Sequence, residues 1–176
     1  KGLNMKTLLI LLLLIVNAYS NVNQKKLLKE FNNLTVEQKK SMKEAFEYGE
    51  KHGLGLSLAA ITWKESEFGR NKISPGGGNL GLAQININTY LNRYKVKRTK
   101  NNVSNVRNKL INDDKHNMKT AIDELKYWLS FKKKGESYKK VYARYNNGWK
   151  INSGGIAYAN DIAARVKILE KKLKKT

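Results

Sequence analysis

Apolar residues in this chain recur three and four positions apart in several segments, and no run of alternation is long enough to build a large sheet. The clearest case is Met118, Ala121, Ile122, Leu125, Trp128 and Leu129, which lie on one helical face behind Asp113 and Asp114, acidic residues suited to a helix start. Thr35 stands three residues before Gln38 in a capping-box arrangement and opens a helix to about Lys51, with Met42, Ala45 and Phe46 as its inner stripe. Beyond Gly53 and Gly55, Ser57 is placed to cap a second helix whose apolar face runs through Leu58 and Ile61. Tyr138, Val141, Tyr142 and Tyr145 repeat the spacing up to an Asn146-Asn147-Gly148 turn, and Tyr158, Ile162, Val166, Leu169 and Leu173 mark one side of a last helix. Between these, residues 71–81 are glycine-rich, contain the single proline and read as a loop, while 82–94 reads as a short helix despite the alternation of Ile85 and Ile87. The expected fold is mainly α. With 176 residues and a hydrophobic fraction of 40%, the chain suits one compact domain.

The absence of cysteine removes disulfides, thiolate metal sites and a thiol nucleophile from consideration. His52 and His116 are isolated, with no metal-ligand spacing and no motif for a serine triad, so no metal or cofactor is expected. Catalysis, if present, falls to oxygen-based groups. Residues 1–20 pattern as a secretory signal peptide: Lys6, an apolar run from Leu8 to Val16, then Ala18-Tyr19-Ser20 as the cleavage signal, with an uncleaved anchor as the alternative use of the same residues. Lys1 to Asn4 precede the first methionine and are set aside as a start-site artefact. Residues 21–34 are expected to be a connecting helix, and 35–176 the folded domain. On either account the domain is exported, to a periplasmic or extracellular location.

The formal charge is +21, and +19 without Lys1 and Lys6. Such a surface attracts polyanions at long range and loses that attraction as salt rises. For an exported protein these are cell-wall polymers and anionic membrane surfaces rather than a specific nucleic acid.

Glu65 is the candidate for acid–base chemistry. It falls seven residues after Leu58 and four after Ile61, on the buried stripe and close to the helix C-terminus. Burial and the negative end of the helix dipole both oppose ionisation, so its pKa is expected above the usual carboxylate value of about 4.3. A carboxyl that holds its proton near neutrality can protonate a departing sugar oxygen. Glu67, about 200° further around the helix, is expected to face solvent.

Glu65-Ser66 is followed by Ser74-Pro75-Gly76-Gly77-Gly78-Asn79, then Gly81-Leu82-Ala83-Gln84-Ile85, and later by Tyr145-Asn146-Asn147-Gly148 and Tyr158. This ordered set, from about Leu54 to Val166, resembles the soluble lytic transglycosylase family, whose domain is similar to goose-type lysozyme. The resemblance implies a lysozyme-like single domain of several helices around a substrate groove, acting on peptidoglycan, and a monomer is expected. It implies cleavage of the β-1,4 bond between N-acetylmuramic acid and N-acetylglucosamine, with Glu65 as general acid and then base and a 1,6-anhydromuramoyl end as product. Ser66, Gln84, Tyr145, Asn146 and Tyr158 match family positions that hold substrate or approach the acid. Tyr158 also suits plain core packing, and Gly76 to Gly78 suit either close approach to a sugar or a flexible connection. Ala83 and Asn86 stand where the family commonly has methionine and an apolar residue. Trp128 belongs with the core stripe, and Trp149 beside Gly148 is the candidate for stacking on a sugar. Two alternatives remain open. A hydrolytic muramidase needs a second carboxylate, for which Asp113, Asp114 and Asp161 are the acids considered. A non-catalytic cationic wall-binding protein needs only the charge.

Overall fold

The computed structural model describes residues 23–173; the signal-peptide pattern lies outside the described residues. Residues 23–32 are helical and belong to a separate compact unit that ends at Leu34. The unit from Thr35 onward is mainly α. Its elements are α1 (Val36–Glu50), α2 (Gly55–Ser66), β1 (Asn79–Leu80), β2 (Ile85–Asn86), α3 (Ile87–Arg93), α4 (Lys100–Asn112), α5 (Asp114–Ser130), α6 (Tyr138–Asn147) and α7 (Ser153–Leu173). Among the described residues, no helix is long and apolar enough to cross a membrane.

Helix α2 is the centre. Leu58, Ala59, Ala60, Ile61, Thr62 and Trp63 are all buried, as expected of a helix enclosed on every side. It packs against α1 and α7, and α7 packs in turn against α6. The capping box of α1 forms in both halves: Gln38 N donates to Thr35 Oγ1 at 3.2 Å and Thr35 N to Gln38 Oε1 at 2.9 Å. The same Gln38 donates from Nε2 to Glu67 O at 2.9 Å, tying the start of α1 to the end of α2. Asp113 caps α5 by accepting from His116 N at 2.8 Å.

Several elements differ from the sequence expectation. Ser57 does not cap α2; the helix begins two residues earlier, and the buried Ser57 hydroxyl pairs with Tyr142 OH at 2.8 Å. Residues 71–81 are not loop throughout, nor 82–94 helix throughout: Asn79–Leu80 pairs antiparallel with Ile85–Asn86 around a tight turn, and helix starts only at Ile87. Asn86 makes that boundary, since its side chain accepts from Asn88 N and Thr89 N and so caps α3. Helix α4 was not anticipated, because only Val106 and Leu110 of its residues are buried and the rest are largely polar. On α7, Arg165 rather than Val166 is buried; its guanidinium lies 4.5 Å from the Trp63 ring centroid and its Nε donates to Asp161 Oδ1 at 3.2 Å.

Candidate active site

Glu65 sits on the last turn of α2, which ends because Glu67 and Phe68 adopt left-handed backbone with φ of 52° and 58°. Phe68 then folds back to stack on Trp63 with ring centroids 6.0 Å apart. The Glu65 side chain is partly open to a groove of about 580 Å³, whose walls come from the β1–β2 hairpin, α3, α5 and the end of α6 with Trp149. Glu67 faces solvent and pairs with Arg70 at 2.8 Å, as expected.

Burial pushes the Glu65 carboxyl above the ordinary carboxylate value. A hydrogen bond from Tyr158 and the charge of Lys64 pull it partly back, but burial prevails. Tyr158 OH donates to Glu65 Oε1 at 2.5 Å, reaching across from the buried face of α7. Burial and then the Glu65 charge hold the Tyr158 phenol well above its usual value, so it is a donor throughout the neutral range. Lys64 is itself fixed by Asp161 at 2.7 Å, one turn along α7 from Tyr158. Core packing and contact with the acid, the two roles open for Tyr158, are therefore combined in one side chain.

The opposite wall is held by side chains from three elements. Asn117 on α5 is fully buried; it accepts from Ala83 N at 2.8 Å and donates to Leu80 O at 2.8 Å and Leu110 O at 3.0 Å. Tyr145 on α6 donates to Ala83 O at 3.1 Å. Ser66 on α2 donates to Leu82 O at 2.7 Å and accepts from Gly69 N at 2.8 Å. Gly81, at φ 77°, lets this wall press on its supports: a Cβ there would lie 2.0 Å from Asn117 Nδ2.

Of the residues matched by resemblance, Gln84, Tyr145 and Asn146 line the groove with Glu65, and Tyr158 touches the acid from behind. Gln84 stands at φ 46°, and its Nε2 donates to Asn71 O and Gly81 O, both at 3.0 Å. Both amide protons are thus committed to the turn, leaving the carbonyl oxygen as its group for a ligand. Ser66 departs from the substrate-binding expectation: it is only 1% exposed and its hydroxyl is used within the fold, so it positions the wall instead. Trp128 also departs from a purely core role, because it is buried yet lines the groove. Trp149 lines the groove and is 57% exposed.

A second carboxylate does line the groove, but it is none of the three aspartates considered. Asp113 caps α5, Asp114 pairs with Lys72 at 2.6 Å and Asp161 pairs with Lys64. The groove carboxylate is Glu124, held by Arg93 through contacts of 2.7, 2.9 and 3.0 Å, with the guanidinium 3.3 Å from the Tyr127 ring centroid. Asn117 and Glu124 were missed from sequence, although a polar residue at i−4 from Ala121 and another beside Leu125 are polar intrusions near a buried helical stripe.

The family model of the transglycosylase SLT domain matches residues 44–167, which contain Glu65, the hairpin, Tyr145 and Tyr158. This chain belongs to the transglycosylase SLT domain family. It is also 32% identical over 122 residues to the "uncharacterized 20.7 kDa protein in vs-regB intergenic region" of Enterobacteria phage T4. That alignment covers 68% of this chain and 65% of the phage protein, so the chain spans just under two thirds of its relative. No solved structure matches the chain. Membership in the SLT domain family accounts for the mainly α, lysozyme-like architecture around a groove.

Proposed function

We propose that the domain cleaves peptidoglycan glycan strands as a lytic transglycosylase, at the β-1,4 bond between N-acetylmuramic acid and N-acetylglucosamine. The observation that carries this is the Glu65 carboxyl, raised by burial at the groove surface and fixed by the 2.5 Å bond from Tyr158. Because Tyr158 donates to Oε1, the mobile proton belongs on Oε2. Glu65 gives that proton to the glycosidic oxygen as the bond to the muramoyl C1 breaks. The resulting carboxylate takes the proton of the muramoyl C6 hydroxyl, whose oxygen closes on C1 to form the 1,6-anhydro ring. No water enters, and one residue acts as acid and base in turn.

Hydrolysis would call on a second carboxylate as nucleophile or base. Glu124 is the acid available on the groove, and its oxygens are engaged by the Arg93 fork, which occupies their lone pairs and restricts their movement. The groove therefore favours transglycosylation. Gln84, Tyr145 and Asn146 are assigned to holding the sugars, and the excess positive charge to concentrating the domain on anionic wall. Export through the N-terminal segment is part of the same proposal.

Digestion of purified sacculi by the wild type and Glu65→Gln, with products identified by mass, tests the assignment. The wild type is expected to release 1,6-anhydro ends, and the variant to bind sacculi but release nothing. Reducing ends carrying heavy oxygen from labelled water would replace transglycosylation by hydrolysis. Undiminished release by the variant would refute the role of Glu65.

A further inference from the structure

At the end of the groove formed by α5 and α6, two donors are buried without acceptors among the described residues: Trp128 Nε1 and Arg144 Nε. Both residues line the groove. Arg144 makes one long contact, from Nη1 to Phe131 O at 3.5 Å, and among the described residues no carboxylate lies within ion-pair distance of it. Glu136, the acid whose carboxyl feels the Arg144 charge, is taken by Lys140 at 2.6 Å. Buried donors are normally paired, so two such atoms on residues of one groove call for a cause.

Trp149 packs against both side chains. Its ring meets Trp128 edge-on at 5.1 Å and Phe131 at 4.8 Å, and the Arg144 guanidinium lies 5.2 Å from its centroid. It follows Gly148, whose φ of 65° and ψ of −140° suit glycine, in the irregular link from α6 to α7. Trp149 is itself 57% exposed, so little burial holds its ring in this position. The third orphaned atom, Asn147 Oδ1, packs towards Gly155 on α7 and is not part of the cluster.

We propose that Trp149 is a movable cover over an anion subsite in which Arg144 and the Trp128 indole N–H bind a carboxylate of the peptide attached to the muramoyl sugar. The inference rests on peptidoglycan being the substrate. A cation beside a second donor selects an acceptor-only group, and a carboxylate is such a group. The sugars of the glycan strand offer hydroxyl and acetamido groups; its peptide substituents supply the negative charge. Displacing Trp149 opens both donors to that partner.

The full chain carrying Glu65→Gln is titrated calorimetrically with two synthetic probes. Both are disaccharide-dipeptides of the wall repeat, one with free peptide carboxylates and one with those groups as carboxamides. The free acid is expected to bind about tenfold more tightly, the scale of one charge-assisted hydrogen bond pair. Arg144→Gln in that background is expected to bring the ratio close to one while leaving the carboxamide affinity unchanged. Trp149→Ala is expected to keep or increase the ratio, because it uncovers the donors. Equal affinity for the two probes, or a ratio that survives Arg144→Gln, overturns the subsite while leaving the proposed cleavage intact. Equal weakening of both probes by Trp149→Ala overturns the cover. Binding of neither probe overturns the subsite together with the substrate on which it depends.

Discussion

Replacing Asn117 by alanine tests the support of the groove wall directly. The change removes the one side chain that satisfies Ala83 N, Leu80 O and Leu110 O, all inside a fully buried site. A buried backbone group left without a partner costs about 1–3 kcal/mol, so even the low end gives about 3 kcal/mol for the set. Against a total of about 5–15 kcal/mol for a domain, that is a large fraction. For a chain of this size it corresponds to a fall in melting temperature of about 6–12 °C. Thermal and urea melts followed by circular dichroism measure the loss, and sacculus binding at a temperature where the variant is folded measures the effect on the wall. A fall of less than about 2 °C would mean that water or a shifted backbone replaces the amide, and the account of a rigid wall pinned by Asn117 would be wrong.

Other substitutions read the acid and the turn. Tyr158→Phe removes the hydrogen bond that lowers the Glu65 pKa, so the alkaline limb of kcat/KM for wall cleavage should move to higher pH; a move to lower pH contradicts the assignment. The folded-state pKa of Glu65 is raised above its ordinary 4.5, so its contribution to stability is full below that value and is lost as pH rises through the folded value. Glu65→Gln should therefore be more stable than the wild type at pH near 7 and lose that advantage near pH 4, as compared by urea melts; no gain at neutral pH would show that the carboxyl is not desolvated. Gly81→Ala places a methyl 2.2 Å from Leu110 O at a φ of 77°, and should cost at least about 2 kcal/mol in the same melts.

The parts legible in the sequence are those fixed by local chemistry. The Thr35–Gln38 capping box, the Asp113 cap and the stripe from Met118 to Leu125 each follow from residues a few positions apart, and each is present in the structure. Glu65 lies on the last turn of α2 and lines the groove, as its spacing after Leu58 and Ile61 predicts, but its candidacy as the acid came from the ordered motifs that follow it and not from that spacing. The hairpin was not visible, since two-residue strands carry no periodicity and are defined by partners far along the chain, above all Asn117. Ser66 was assigned to substrate from its place beside Glu65, yet its hydroxyl turns inward to Leu82 O, a direction set by the tertiary fold. The pairing of Arg93 with Glu124 spans 31 positions and joins two helices, so spacing along the chain could not reveal it.

The anchoring of residues 80–83 from three helices constrains how this groove could diversify. Leu80, Leu82 and Ala83 are each gripped through the backbone by a different partner or pair of partners, so an insertion there would break several bonds together. A Cβ at Gly76 or Gly78 would meet nothing within 4 Å, and the two lie at the tip of the preceding turn, between the bridged Ile73 and Leu80. New lengths and compositions are therefore best tolerated at the tip, where an engineered or evolving variant can reshape the rim without disturbing the register of the wall beneath it.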